Sequence, residues 1–196
     1  MHTYESRIES MAKFLRDIAG IKVSVPKIII SKKIRDIEEY RFEGNKSYIV
    51  INLLFFKKYK QKTGQEIDLD ALLAHSFFHH VQRVLGIDYA KIARKMLSKI
   101  YISDQLGNKL VDEASKNILE SSAMLFALAY LTKGRNRKAK IIKKLRQKAY
   151  LPLRGRHFNG NELIIEYLKH HSINQTIREM LSAKRSNRNR AKQRRI

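Results

Sequence analysis

Cysteine is absent from this chain, which excludes disulfides, zinc ribbons and thiol nucleophiles and leaves no compositional sign of secretion. Tryptophan is absent too, and the only prolines are Pro26 and Pro152. No apolar run approaches eighteen residues, so no membrane-spanning helix is expected. The opening MHTYESRIESMAK lacks the pattern of a secretory signal. The expectation is a soluble cytoplasmic protein with no membrane partner. Abundant Ile, Lys, Arg and Glu beside no Cys or Trp is compatible with a thermophilic source.

Acidic residues are also in short supply, 18 against 41 Lys and Arg, for a formal net charge of +23. The imbalance is local. From Lys133 to Ile196 there are 20 basic residues against Glu162, Glu166 and Glu179, a net of +17, which leaves +6 for the first 132 residues. A field of that size favours polyanions, nucleic acid before an anionic membrane surface.

What is present reads as ordered elements. MHTYESRIESMAKFLRDIAG has helical apolar spacing at Ile8, Met11, Phe14, Leu15 and Ile18 and stops at Gly20. Three strand-like runs follow: PKIIIS from Pro26, EEYRFE around Tyr40 and Phe42, and KSYIVIN from Lys46 to Asn52. Gly44-Asn45 supplies a hairpin turn between the last two. LLFFKKYKQKTG predicts a helix ending near Gly64. DLDALLAHSFFHHVQRVLG predicts another, capped by Asp68 or Asp70 and stopped by Gly86. Apolar residues surround that helix, so it is expected to be buried. YAKIARKMLSKIYIS and VDEASKNILESSAMLFALAYLTKG add two more helices. The charge shift near Lys133 marks a boundary between a region 1–132 and a basic helical region 133–196.

His75 and His79 are four residues apart, so on a helix both imidazoles leave one face and can share a metal ion. H-E-x-x-H zinc sites use this spacing, with the glutamate as general base. Here the glutamate position holds Ser76, whose hydroxyl cannot serve as that base at neutral pH. Ser76 as a nucleophile with His79 or His80 as its base lacks an oxyanion hole and a glycine-flanked elbow. His80 reads as a packing or hydrogen-bonding residue.

The stretch LLAHSFFHHVQ resembles the active-site helix of zincin metallopeptidases, which reads LLAHELxHHxQ. The element order is also similar to theirs: a leading helix, three strands with the last (Tyr48 to Asn52) at the sheet edge, then the histidine helix. Gluzincins take a third ligand from a glutamate on a later helix. In small members, the phage-repressor-cleaving peptidases and minigluzincins, that helix reads roughly E-x-E-A-x-x-F-A. Glu120-Ser-Ser-Ala123-Met-Leu-Phe126-Ala127 is similar to it in Ala123, Phe126 and Ala127. The resemblance covers about residues 1 to 132 and implies a degenerate zincin-like domain. Aligned on the alanine and phenylalanine, the ligand position falls on Ser122; Glu120 or Glu113 could instead complete a His2Glu set. The expectation is an inactive relative holding no cofactor, with zinc at His75, His79 and Glu120 as the alternative.

In the basic third, RNRKAKIIKKLRQKAYL predicts a helix dense in Arg135, Arg137, Lys138, Lys140, Lys143, Lys144, Arg146 and Lys148. Such crowding is tolerated where phosphates neutralise it. Asn161 and Ser172 are expected to cap a helix pair of helix-turn-helix character, packed through Leu163, Ile164, Tyr167, Leu168, Ile173, Ile177, Met180 and Leu181. The tail then presents Lys184, Arg185, Arg188, Arg190, Lys192, Arg194 and Arg195. The reading is an α+β fold, a sheet of three or four strands packed on the histidine helix, followed by basic helices. Its expected function is a non-catalytic metallopeptidase-like protein that binds nucleic acid, chiefly duplex DNA, as a regulatory or accessory factor of a mobile element. The alternative is a divergent zinc-dependent hydrolase using Glu113 or Glu120.

Overall fold

The computed structural model describes residues 3–44, 46–64, 66–100, 108–133, 138–146 and 158–183. Among them the order is α1 (Tyr4–Ala19), β1 (Lys27–Ile30), β2 (Glu38–Glu43), β3 (Lys46–Ile51), α2 (Leu53–Thr63), α3 (Leu69–Leu85), α4 (Tyr89–Ile100), α5 (Asn108–Leu131), α6 (Lys138–Arg146), α7 (Phe158–His170) and α8 (Ile173–Ser182). The class is mixed α+β, with three strands in one sheet among the described residues.

Strand order is β1–β3–β2, with β1 parallel and β2 antiparallel to β3. The last strand is therefore central, not the edge that the zincin resemblance implied. The reason is long-range: after the β2–β3 hairpin turns through Gly44 (φ 57°), β1 claims the other side of β3, pairing Ile28 with Ile49 and Ile30 with Ile51. Asn45 lies outside the described residues. Burial follows from this placement, since Ile49, Val50 and Ile51 of β3 are buried while Ile29 and Ile30 of β1 stay exposed.

Helix ends are set as their residues require. Thr3 caps α1 by accepting from the Ser6 amide, and Gly20 ends it at φ 69°, a left-handed conformation that glycine adopts without strain. Asp68 caps α3 through the Ala71 amide (3.1 Å), while Asp70 pairs with Arg7 of α1 at 2.6 Å. That decides between the two candidate caps. Ser172 caps α8 through Gln175. Asn161 is not a cap: α7 starts earlier, at Phe158, and Asn161 is buried with Nδ2 donating to the Leu145 carbonyl at 3.1 Å. It satisfies a carbonyl in the last turn of α6.

The buried core gathers around α3 and α5. The Phe126 ring stacks on Phe78 (4.8 Å between centroids, 24° between planes) and meets Phe14 of α1 edge-on at 5.8 Å. The same cluster runs on through Ile141, Leu145, Ile164, Leu168, Ile177 and Leu181. The charge boundary at 132/133 is thus not a break in the core. The helix-pair residues Ile164, Tyr167, Leu168, Ile173, Ile177, Met180 and Leu181 are all buried there, and Leu163 packs against them. No helix is long and apolar enough to cross a membrane among the described residues.

Candidate metal centre

Every second residue of a strand faces the same way, and β2 turns such a set toward α3. Glu38 reaches His75, Tyr40 reaches His80, and the Phe42 ring lies 5.2 Å below the Arg83 guanidinium. On the other flank of α3, Gln82 reaches α5. The histidine helix is gripped from two sides, and both grips end on its imidazoles.

His75 is buried, and its Nδ1–H donates to Glu38 Oε1 at 3.3 Å. His79 Nδ1–H donates to Gln82 Oε1 at 2.8 Å. The two rings lie nearly perpendicular with centroids 4.6 Å apart. Their Nε2 atoms converge on one oxygen of α5: Glu120 Oε2 lies 3.3 Å from His79 Nε2 and 3.7 Å from His75 Nε2. The three donor atoms all fall within 4.8 Å of one another. Bonds of about 2.0–2.1 Å in a tetrahedron space ligand atoms about 3.3 Å apart; the His79–Glu120 separation matches that spacing and the His75–Glu120 separation is slightly longer.

The electrostatics are compatible with a cation at that point. A carboxylate or an amide oxygen only accepts, so each Nδ1 that faces Glu38 or Gln82 carries a proton. With a cation at the centre each neutral ring presents its Nε2 lone pair to it, and without one a proton on Nε2 takes the cation's place against Glu120. Glu38 adds a second carboxylate whose side chain is only 10% exposed, and its Oε2 is buried with no hydrogen-bond partner among the described residues. Two carboxylates beside two imidazoles, Glu38 largely shielded and Glu120 half-buried, call for positive charge, supplied by a metal ion or by protons. Burial pushes the His79 pKa down, but the hydrogen bond and charge of Glu120, the charge of Glu38 and the contact with Gln82 outweigh it and raise the pKa.

Ser76 takes no part in the cluster. It is buried, and its hydroxyl donates to the Leu72 carbonyl one turn back at 2.9 Å. Ser122 is also buried, donating to the Leu119 carbonyl at 2.9 Å and accepting from Gln82 Nε2 at 2.8 Å. Glu113 is exposed on α5 and outside the donor cluster. Of the three third-ligand candidates, the structure brings Glu120 to the histidines. His80 is a buried hydrogen-bonding residue, donating from Nε2 to the Ser24 carbonyl at 2.7 Å and accepting from the Tyr40 hydroxyl at 3.0 Å. Burial lowers its pKa, with the Ser24 contact acting in the opposite sense.

Glu38 and Gln82 went unnoticed in the sequence. Gln82 is an i+3 neighbour of His79 and could have been found by asking what holds its ring. Nothing local marks Glu38, which lies 37 residues from His75.

Of the basic candidates, α6 carries Lys138, Lys140, Lys143, Lys144 and Arg146. Its Ile141 and Leu145 are buried, and Lys140, Lys143 and Arg146 are exposed on the opposite side. Lys138 Nζ donates to the Lys169 carbonyl near the end of α7 at 3.2 Å. Arg135, Arg137, Lys148, Lys184, Arg185, Arg188, Arg190, Lys192, Arg194 and Arg195 lie outside the described residues. No protein-family model, curated protein or solved structure matches the chain.

Proposed function

We propose that this is a zincin-like protein that holds a zinc ion at His75, His79 and Glu120 but does not cleave peptides, and that it binds duplex DNA through its basic C-terminal region. One observation carries the metal reading: both Nδ1 atoms are engaged by Glu38 and Gln82, which leaves both Nε2 atoms facing the Glu120 carboxylate. Two imidazoles and a carboxylate suit zinc better than calcium or magnesium, which prefer all-oxygen sets. Three protein ligands leave a fourth position open. When bound, zinc supplies Lewis acidity to whatever donor enters there.

The residues around the centre argue against hydrolysis. Ser76 stands where a general base is needed, and its proton is committed to the Leu72 carbonyl. Glu120 is spent as a ligand, and Glu38 lies at His75 Nδ1, behind the ring and away from the donor triangle. Glu113 is exposed and outside the donor cluster, which argues against the alternative of a divergent hydrolase. The DNA reading rests on the charge of the last third and on the exposed Lys140, Lys143 and Arg146 of α6.

Elemental analysis of protein purified without chelators, beside a His79→Ala variant, tests the centre. One zinc per chain in the wild type and none in the variant is expected. A folded wild type that stays metal-free after incubation with zinc and removal of the excess overturns it.

A further inference from the structure

The amide of Gln82 has no choice of orientation. The Ser122 hydroxyl spends its proton on the Leu119 carbonyl, so it can only accept from Gln82, and the Leu119 carbonyl can only accept as well. Gln82 Nε2 meets both, at 2.8 Å and 2.9 Å. The amide nitrogen is thereby fixed toward α5 and the amide oxygen toward His79. On the other side, Glu38 offers His75 Nδ1 nothing but an acceptor. Both selections come from partners distant in the chain, one on α5 and one on β2.

We infer that Gln82, keyed by Ser122, and Glu38 are positioning residues that hold a proton on Nδ1 of both histidines and aim their Nε2 atoms at the point beside the Glu120 carboxylate where the metal ion would sit. The inference deepens the proposed metal centre and rests on it for its consequence in affinity, though not for the orientation of the two rings. Ser122 acquires a role by the same reasoning. At the position that one sequence register assigns to a metal ligand, its hydroxyl acts one step removed, by orienting the side chain that orients His79. Partners of this kind change metal affinity by roughly 10–100-fold when removed.

Two readouts separate this inference from the metal reading. Nitrogen-15 NMR of the histidine rings in metal-free protein reports which ring nitrogens carry protons. Zinc affinity, by competition with a chromogenic chelator, reports the consequence. In the wild type Nδ1 of both rings is expected to carry a proton, whether or not Nε2 also does. Gln82→Met should shift the His79 proton from Nδ1 to Nε2, where Glu120 accepts it, and weaken zinc roughly 10–100-fold, with Ser122→Ala acting the same way but less. Glu38→Leu should do the same at His75, and Glu38→Gln, whose amide oxygen still accepts, should recover much of the loss. Ser122→Ala removes little volume and carries the test if Gln82→Met fails to fold. Variants that lower the melting temperature but keep wild-type tautomers and zinc affinity overturn the inference, because a merely structural role predicts that pattern. A wild type with Nδ1–H rings but no zinc affinity sinks the metal centre and leaves the positioning intact.

Discussion

At position 76 a hydroxyl donates to the Leu72 carbonyl 2.9 Å away, where a zincin peptidase would carry the carboxylate that takes up a proton. A serine bonded back into its own helix is a passive filler, and removing the hydroxyl should change little. Ser76→Ala is expected to shift stability by no more than about 1 kcal/mol and to leave zinc content as in the wild type, as read by urea unfolding and elemental analysis. Ser76→Glu restores the missing group beside a donor set already in place. With zinc bound, it should gain cleavage of a fluorogenic peptide that a chelator abolishes. A zinc-loaded Ser76→Glu variant with no activity would mean that the open side of the centre does not admit a peptide.

At the level of elements, α5 does two jobs: it delivers Glu120 to α3 and fills the middle of the core with Ala123 to Ala129. Phe126 touches the rings of Phe14, Phe77 and Phe78, so Phe126→Ala should cost about 3–5 kcal/mol, visible as a lower urea midpoint. The later helices are fastened at Glu179 of α8, which accepts from Lys95 of α4 at 2.7 Å and from the Tyr167 hydroxyl of α7. Burial disfavours its charge, but hydrogen bonds from Lys95, Tyr167 and Gln175 and the charge of Lys95 outweigh that and bring its pKa down to about 2. A depressed carboxylate stabilises the fold fully above its ordinary value of 4.5 and loses that contribution as pH falls toward 2. Glu179→Gln should therefore be less stable than the wild type at neutral pH, with the gap narrowing across that window in pH-dependent denaturation. These elements were largely legible in the sequence. Helical spacing marked α1, α3 and α8, and Gly20, Gly64 and Gly86 ended helices where expected. The centrality of β3 was not legible, because parallel pairing with β1 leaves no mark on the local pattern of β3 itself.

For the whole molecule the outstanding property is the charge of its last third, of which the α6 residues Lys138, Lys140, Lys143, Lys144 and Arg146 sit on a helix that shares one core with the histidine helix. A protein making 6–10 phosphate contacts loses about 10³–10⁵ in affinity between about 50 and 200 mM salt. The full chain is expected to show a steep dependence of this kind on duplex DNA. Replacing Lys140, Lys143 and Arg146 together by Gln should reduce the slope by about 0.9 for each phosphate that is no longer neutralised, without changing zinc content. Affinity insensitive to salt would remove the charge argument, and an unchanged slope in the triple variant would move the interface off α6.

The sequence by itself determined the helices and strands, the crowding of positive charge past Lys133, and two histidines on one helical face with no base between them. Those are local properties: periodicity, caps and composition within a few turns of chain. Tertiary structure decided which carboxylate joins the histidines and which side chains hold their rings. Glu38 lies 37 residues from His75, and Ser122 lies 40 from Gln82. Contacts over such distances depend on how β2 and α5 pack against α3. A shift of two positions along α5, from Ser122 to Glu120, turns a side chain by more than half a helical turn, and only the packed helix shows which of the two faces the histidines.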